Sequence, residues 1–441
     1  MLTIEPARRP SRRRGGTSKL AIALAGGGPL GSFYELGALH ALEEAILGRE
    51  LTAFDFYVGV SSGSVLAASL ANGFDTTSIG ALFIQDESTL PAFSPGMLLQ
   101  PAYREYAARM SLVPGALLEI ARRYARNPLR GAWPAAVSSL RRVVPTALFD
   151  NRPLEEYLHA LFSTPGHSDD FRRLNSQLYL VATNLNTGEE VAFGDARHER
   201  VAISRAVVAS AALPGLYPAV EIGGEPYVDG ALIRTMHASL ALDAGCELVI
   251  CINPLVPFHA TRSRGRSHTN LADAGIDTIL GQTFRALINS RMRVGMASYG
   301  ARFPSADTLL LEPDRDDEAM FFTNVFRYSG RQHLAEHAYQ QTRRDLARQA
   351  GALAAVLERH GLDLDVRRLR DPKRTFASAA RDRAVRLRST TDRLRRALAS
   401  LERLVEAEDA AGPPARRLSA ASAARGAAGA RAAAGDSLRS E

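Results

Sequence analysis

Phe54-Asp55-Phe56-Tyr57-Val58-Gly59-Val60-Ser61-Ser62-Gly63-Ser64 takes the chain from an apolar strand through a glycine-flanked serine into a helix. The strand is expected over 54–58 and the helix over 64–72, with Gly73 as its C-cap. That order of strand, sharp turn and helix holds a serine hydroxyl clear of the end of a sheet. Gly59 and Gly63 stand at minus two and plus two because such a turn presses backbone against backbone, leaving no room for Cβ atoms. Ser62 and Ser64 lack this flanking, so Ser61 is the candidate nucleophile.

One βαβ unit upstream lies Ala25-Gly26-Gly27-Gly28-Pro29-Leu30-Gly31, after the strand 20–24. Gly26, Gly28 and Gly31 also satisfy G-x-G-x-x-G, so a dinucleotide fold is a rival. That fold needs an acidic residue at the end of the second strand. Here the second strand ends in the serine turn, with Asp55 at its start. A P-loop is poorer still, since Gly-Lys-Ser/Thr is missing. Backbone N–H groups of Gly27 and Gly28 are able instead to converge on one oxygen, as an oxyanion hole requires, and Gly26 and Gly31 complete the candidate loop. A serine hydroxyl also needs a base. None of the ten histidines sits in a recognisable catalytic context, and His237 lies eight residues beyond Asp229 in a helical stretch. Val228-Asp229-Gly230-Ala231 supplies a carboxylate. Asp-Gly is also a common hairpin turn; its place after Leu213-Pro214-Gly215 raises it above that reading.

The three motifs in this order resemble the patatin-like phospholipase family, which carries a glycine-rich loop, G-x-S-x-G and a late Asp-Gly-Gly/Ala. Leu180 to Gly188 and Ala209 to Pro218 look like that family's central strand and its pre-aspartate loop, extending the resemblance over roughly residues 18–255. Leu30 departs from it, standing where the family's loop usually has a basic residue. The resemblance implies a three-layer α/β hydrolase fold and a Ser61/Asp229 dyad that cleaves a lipid acyl ester through an acyl-serine, with no metal or organic cofactor. A catalytically silent lipid-binding or scaffold protein, and an acyltransferase using the same dyad, are the alternatives.

Composition bounds the rest. The chain has 441 residues, 46% of them hydrophobic, and a net charge of +7, enough for one large α/β domain with additions. Residues 1–19 carry six basic and one acidic group, and residues 367–403 carry thirteen and four. Residues 404–441 balance, which leaves 20–366 at −7. A basic character confined to the flanks argues against a nucleic-acid-binding core and fits flanks that meet an anionic membrane or remain solvated. Cys246 and Cys251 are expected on opposite faces of one strand, unable to bridge, as core thiols in a reducing compartment. Arg8 to Arg14 before 20–25 mimics a leader, but the apolar run is short and is used by a strand. No run reaches the eighteen or so apolar residues of a spanning helix. The expectation is a cytoplasmic protein with peripheral contact at the inner membrane face.

Four regions are expected: a basic disordered tail over 1–17, a catalytic domain over 18–365, a basic amphipathic helix over 366–408 and a disordered Ala/Arg-rich tail over 409–441. Within the domain, 86–145 reads as a helical insert, with a helix at 114–127 whose apolar residues are flanked by arginines. It is either a lid or membrane-docking cap, or an ordinary cap packed on the body, and the packed cap is preferred from sequence. Strands are expected at 178–183, 189–193, 225–228 and 248–252, an exposed loop at 259–270 and helices at 271–300 and 329–360. His333 and His337 match H-x-x-E-H by letters alone, with no second glutamate ligand assignable, and are read as coincidence. Leu387, Leu394 and Leu401 recur every seven residues, a seam for self-association, membrane contact or docking on the body.

Overall fold

In the computed structural model the described residues are 1–9, 18–84, 93–126, 141, 143–233, 236–260, 271–323 and 327–383. Among them nine strands form one sheet: β1 (Leu2–Glu5), β2 (Leu20–Leu24), β3 (Phe56–Val60), β4 (Gln177–Asn184), β5 (Glu190–Phe193), β6 (Val220–Ile222), β7 (Glu225–Asp229), β8 (Leu248–Ile252) and β9 (Asp307–Leu311). The order is β1-β9-β8-β2-β3-β4-β7-β6, with β5 also paired to β4. The central run from β9 to β4 is parallel, while β1, β5, β7 and β6 add antiparallel edges. The helices, most of which cover the two faces, are α1 (Gly28–Ala45), α2 (Ser62–Ala71), α3 (Thr76–Phe83), α4 (Tyr103–Met110), α5 (Val113–Arg126), α6 (Arg152–Phe162), α7 (Ile203–Ser210), α8 (Ala238–Asp243), α9 (Ile276–Arg302), α10 (Tyr328–Arg348), α11 (Ala350–Arg359) and α12 (Val366–Arg370).

The period of two along the central strands builds the three layers. Leu20, Ile22 and Leu24 of β2 and Leu248, Ile250 and Ile252 of β8 face the layer of α1, α2, α6, α7 and α10. Ala21, Ala23, Val249 and Cys251 face the layer of α8 and α9. β2 runs into the glycine loop and its parallel neighbour β3 into the serine turn, so the two motifs emerge side by side at the carboxyl ends of adjacent strands. β7 reaches the same level from the other direction. Val60 pairs with Val181, and the next residue, Ala182, pairs with Asp229.

Several expectations change. β3 lies two residues later than expected, so α2 starts at Ser62, immediately after the nucleophile position. Gly73 ends the region of α2 with φ 86°. Cys246 precedes β8, so the strand's alternation does not govern it; both thiols are buried in the same apolar layer. The N-terminal segment, expected to be a tail, begins as β1, the edge strand paired antiparallel to β9. The expected 329–360 helix is two, meeting at Gln349. The compact unit runs from Met1 to Arg381 rather than ending at 365, because Leu369, Phe376, Ala379 and Ala380 are buried. The heptad seam, the 409–441 tail and nearly all of the 259–270 loop lie outside the described residues. Among the described residues no helix is long and apolar enough to cross a membrane.

Candidate active site

Ser61 has φ 50°, the sole positive value outside glycine among the described residues, a backbone state that costs about 1–3 kcal/mol and persists only where surroundings enforce it. The enforcement is close packing. A Cβ at Gly59 would sit 2.5 Å from Ser64 Cα and 2.8 Å from Ala67 Cβ, and one at Gly63 would sit 2.5 Å from the Ala25 carbonyl oxygen. The Ser61 N–H donates to Ser210 Oγ at 2.9 Å, and Ser210 Oγ donates to the Val181 carbonyl at 2.5 Å. One hydroxyl at the end of α7 thus ties the turn to β4. Sequence reasoning missed Ser210; its signal was a polar residue closing the apolar run Ala206 to Ala209.

Asp229 lies at the end of β7, and its Oδ2 accepts the Ser61 hydroxyl at 2.6 Å. Its Oδ1 accepts the Ala231 N–H at 2.8 Å. Thr183 Oγ1 donates to its carbonyl, and its own N–H donates to Ala212 O. Gly230 is obligatory, since a Cβ there would collide with the Val181 carbonyl oxygen. Asp229 is 2% exposed. Burial pushes its carboxyl up to about 6, against the opposing pull of the Ser61 hydroxyl and the Ala231 amide. It is therefore a carboxylate at neutral pH that is far more basic than a solvated aspartate.

The four glycines of the loop differ in role. A Cβ at Gly26 would lie 2.9 Å from Ser61 Cβ, so this residue gives the nucleophile space. Gly27 donates its N–H to Ser62 Oγ at 2.9 Å, and it packs on Pro254. Gly31, expected among the oxyanion donors, instead gives its N–H to Gly27 O in the first turn of α1, and a Cβ on it would meet Pro254 at 2.9 Å. The Gly28 N–H, at φ 60°, has no acceptor among the described residues. Leu30 packs against the core rather than reaching toward an anion. The first turns of α1 and α2 both border the site, bringing the positive ends of two helix dipoles to it.

Ser61 and Asp229 open into a cavity of about 420 Å³. Its walls are apolar: Phe33 and Leu36 of α1, Leu66 of α2, Phe83, Phe93 and Val208 among others. No histidine is among the described residues that line it. His237 is buried with Nδ1 3.6 Å from Glu190 Oε2, and His337 Nε2 is 2.6 Å from Asp317 Oδ2. The geometry thus offers a serine, one carboxylate, helix N-termini and an apolar chamber.

A model of the patatin-like phospholipase family matches residues 22–242, from the strand before the glycine loop to beyond Asp229. The chain belongs to the patatin-like phospholipase family. Among solved structures it is similar to VipD from Legionella pneumophila, with 15% identity, 81% of this chain and 82% of that one covered, and a TM-score of 0.31. It is also similar to full-length ExoU in complex with SpcU from the type III secretion system of Pseudomonas aeruginosa, with 16% identity, 80% and 67% covered, and a TM-score of 0.27. Within the patatin-like domain the glycine loop, the serine turn and Asp229 all fall inside the matched span.

Proposed function

We propose that this patatin-like protein hydrolyses an acyl ester of a phospholipid, as a phospholipase A or lysophospholipase, through an acyl-Ser61 intermediate. The observation that carries the reading is the 2.6 Å hydrogen bond from Ser61 to a buried Asp229 at the wall of an apolar cavity. The acyl chain occupies the cavity and presents its carbonyl carbon to Ser61 Oγ. The hydroxyl proton passes to Asp229 Oδ2 as Oγ bonds to that carbon. The carbonyl oxygen becomes an oxyanion beside the first turns of α1 and α2, where the N–H groups of Gly28 and Ser62 are its donors. Collapse breaks the ester C–O bond, and the departing alcohol oxygen takes the proton from Asp229. Water then repeats the sequence in reverse, giving its proton to Asp229 and releasing the fatty acid as Ser61 is reprotonated.

Labelling with a fluorophosphonate, followed by mass mapping, tests this. The modified residue is expected to be Ser61, and Ser61→Ala is expected to lose both label and esterase activity while remaining folded. Label on Ser62 or Ser64 sinks the assignment of the nucleophile. A folded protein that neither labels nor hydrolyses any lipid ester is a silent lipid binder. Recovery of the acyl group on an added alcohol in place of water identifies an acyltransferase.

A further inference from the structure

The helical insert packs Phe93 and Ala102 on the body, with Met97 and Leu98 against the core, but α5 leaves much of its own apolar side exposed. None of the described side chains of α5 is buried, and Leu117 and Leu118 are 55% and 51% exposed. At 3.6 residues per turn Val113, Leu117, Ile120 and Ala121 share one side of this helix, opposite Glu119 and Arg122. Over these fourteen residues Val113 and Ile120 are half-buried while Leu117 and Leu118 stay exposed, so part of the apolar side is open.

The insert is fixed to the rim of the active-site cavity. Ala102 N–H and Tyr106 OH, at the start of α4, both donate to the Leu148 carbonyl, and Glu105 accepts from Thr146 Oγ1 at 2.8 Å. Next to those anchors, Leu99 and Leu216 line the cavity and are exposed at the same time, and Leu148 is exposed between them and α4. Exposed apolar side chains thus stand at the cavity mouth beside the anchor of α4, the helix that leads into α5. The exposed leucines and phenylalanine of α9 line no part of that cavity. Charge narrows the partner further. Residues 103–126 carry five arginines against two glutamates, within a body, 20–366, of net charge −7. An apolar side backed by cations matches a bilayer surface bearing anionic headgroups.

We infer that α5, with the exposed side of α4, is an interfacial helix that seats the cavity mouth on an anionic phospholipid surface, so that an acyl chain passes from the bilayer into the chamber. The inference rests on the lipid-hydrolase reading above. Helix α5 lies in the plane of the interface, with Leu117 among the acyl chains, Leu118 at the edge of the apolar side and Arg122 beyond it at the headgroups. Binding of this kind combines a salt-sensitive electrostatic part with an apolar part that salt does not screen.

The test compares the full chain with Leu117→Glu/Leu118→Glu, both exposed and outside the cavity, by flotation with vesicles of phosphatidylcholine and phosphatidylglycerol. At about 1 M salt, where screening confines charge interactions to about 3 Å, the unmodified protein is expected to remain bound. The variant is expected to lose at least about a hundredfold in affinity, as the loss of two leucines from the apolar side implies. Its hydrolysis of a short soluble ester is expected to be unchanged and its hydrolysis of vesicle lipid to fall. Equal vesicle binding by the two proteins overturns the inference, as does no binding by the unmodified chain. Unchanged vesicle binding together with loss of a dimer on sedimentation assigns the side to a second copy instead. Ser61→Ala separates the two readings: with no catalysis it is expected to bind vesicles normally.

Discussion

At the residue scale, the dyad proposed above makes Asp229 the residue on which both rate and stability are expected to turn. A dyad base must be ionised to accept the Ser61 proton, so hydrolysis of a soluble ester is expected to rise with pH through about 6 and to level off above. The stability consequence has the opposite sign. Below the carboxyl's ordinary value of 3.8 both states are protonated; between there and about 6 the unfolded chain ionises first, and folding stability is lost as pH rises. The shift corresponds to about 3 kcal/mol at neutral pH at 1.36 kcal/mol per pH unit. Asp229→Asn removes that penalty while keeping an acceptor for Ala231 N–H. It is therefore expected to lower the acylation rate by about 10²–10⁴ and to raise the melting temperature near pH 7 but not near pH 3.5. A pH–rate profile and two thermal scans check this, and high activity in the variant would move the base elsewhere. Ser62 is a subtler case. Its hydroxyl holds the Gly27 N–H, so Ser62→Ala is expected to keep the label on Ser61 while losing roughly fivefold in kcat, for one hydrogen bond of about 1 kcal/mol.

At the element scale, the site exists because three pieces of chain end at one level: the turn after β3, the loop after β2 and the turn after β7. Ser210 stitches the first of them to β4, accepting from the turn and donating to the Val181 carbonyl. Ser210→Ala strands the buried Ser61 N–H without an acceptor, at about 1–3 kcal/mol, and frees the one strained residue of the turn. The expected outcome is a lower melting temperature and a kcat reduced more than KM is raised, with partial rescue by Ser210→Thr. An unchanged kcat would mean that packing alone holds the turn. Much of this was legible in the sequence. Gly59, Gly63, Gly230 and the apolar strands announce themselves because close approach forbids Cβ atoms and because buried parallel strands are continuous Leu, Ile, Val and Ala. Ser210 was not legible, since its partners lie 149 and 29 residues away and no local pattern marks them. The division of labour in the glycine loop was hidden too: its N–H bond to Gly27 O and its contact with Pro254 show that Gly31 serves the first turn of α1 and not the oxyanion. β1 and β9 escaped notice because an edge pairing between residues 2–5 and 308–311 leaves no trace at short range.

At the scale of the whole molecule, composition and packing place the end of the folded body differently. By charge, the change comes after residue 366, where arginines accumulate. By packing, it comes after Arg381. Phe376 is buried among His40 and Tyr339, with ring centroids 4.5 and 6.2 Å away. Arg374 pairs with the buried Glu44, and Arg343 donates to the carbonyls of Arg368, Asp371 and Arg374. The segment from 367 to 381 thus closes the layer of α1 and α10, and its arginines serve the core as well as the surface. Two truncations separate these assignments. Removing residues 384–441 is expected to leave the melting temperature and the hydrolysis of a short soluble ester intact. Removing 367–441 withdraws Leu369 and Phe376, worth roughly 3–6 kcal/mol by area, and leaves Glu44 buried without its cation, a further cost. That longer deletion is expected to lower the melting temperature by at least about 5 °C and to reduce expression of folded protein. Equal thermal stability in the two truncated proteins would show that residues 367–381 rest on the body without supporting it, and that the basic stretch from 367 onward is a separable appendage after all.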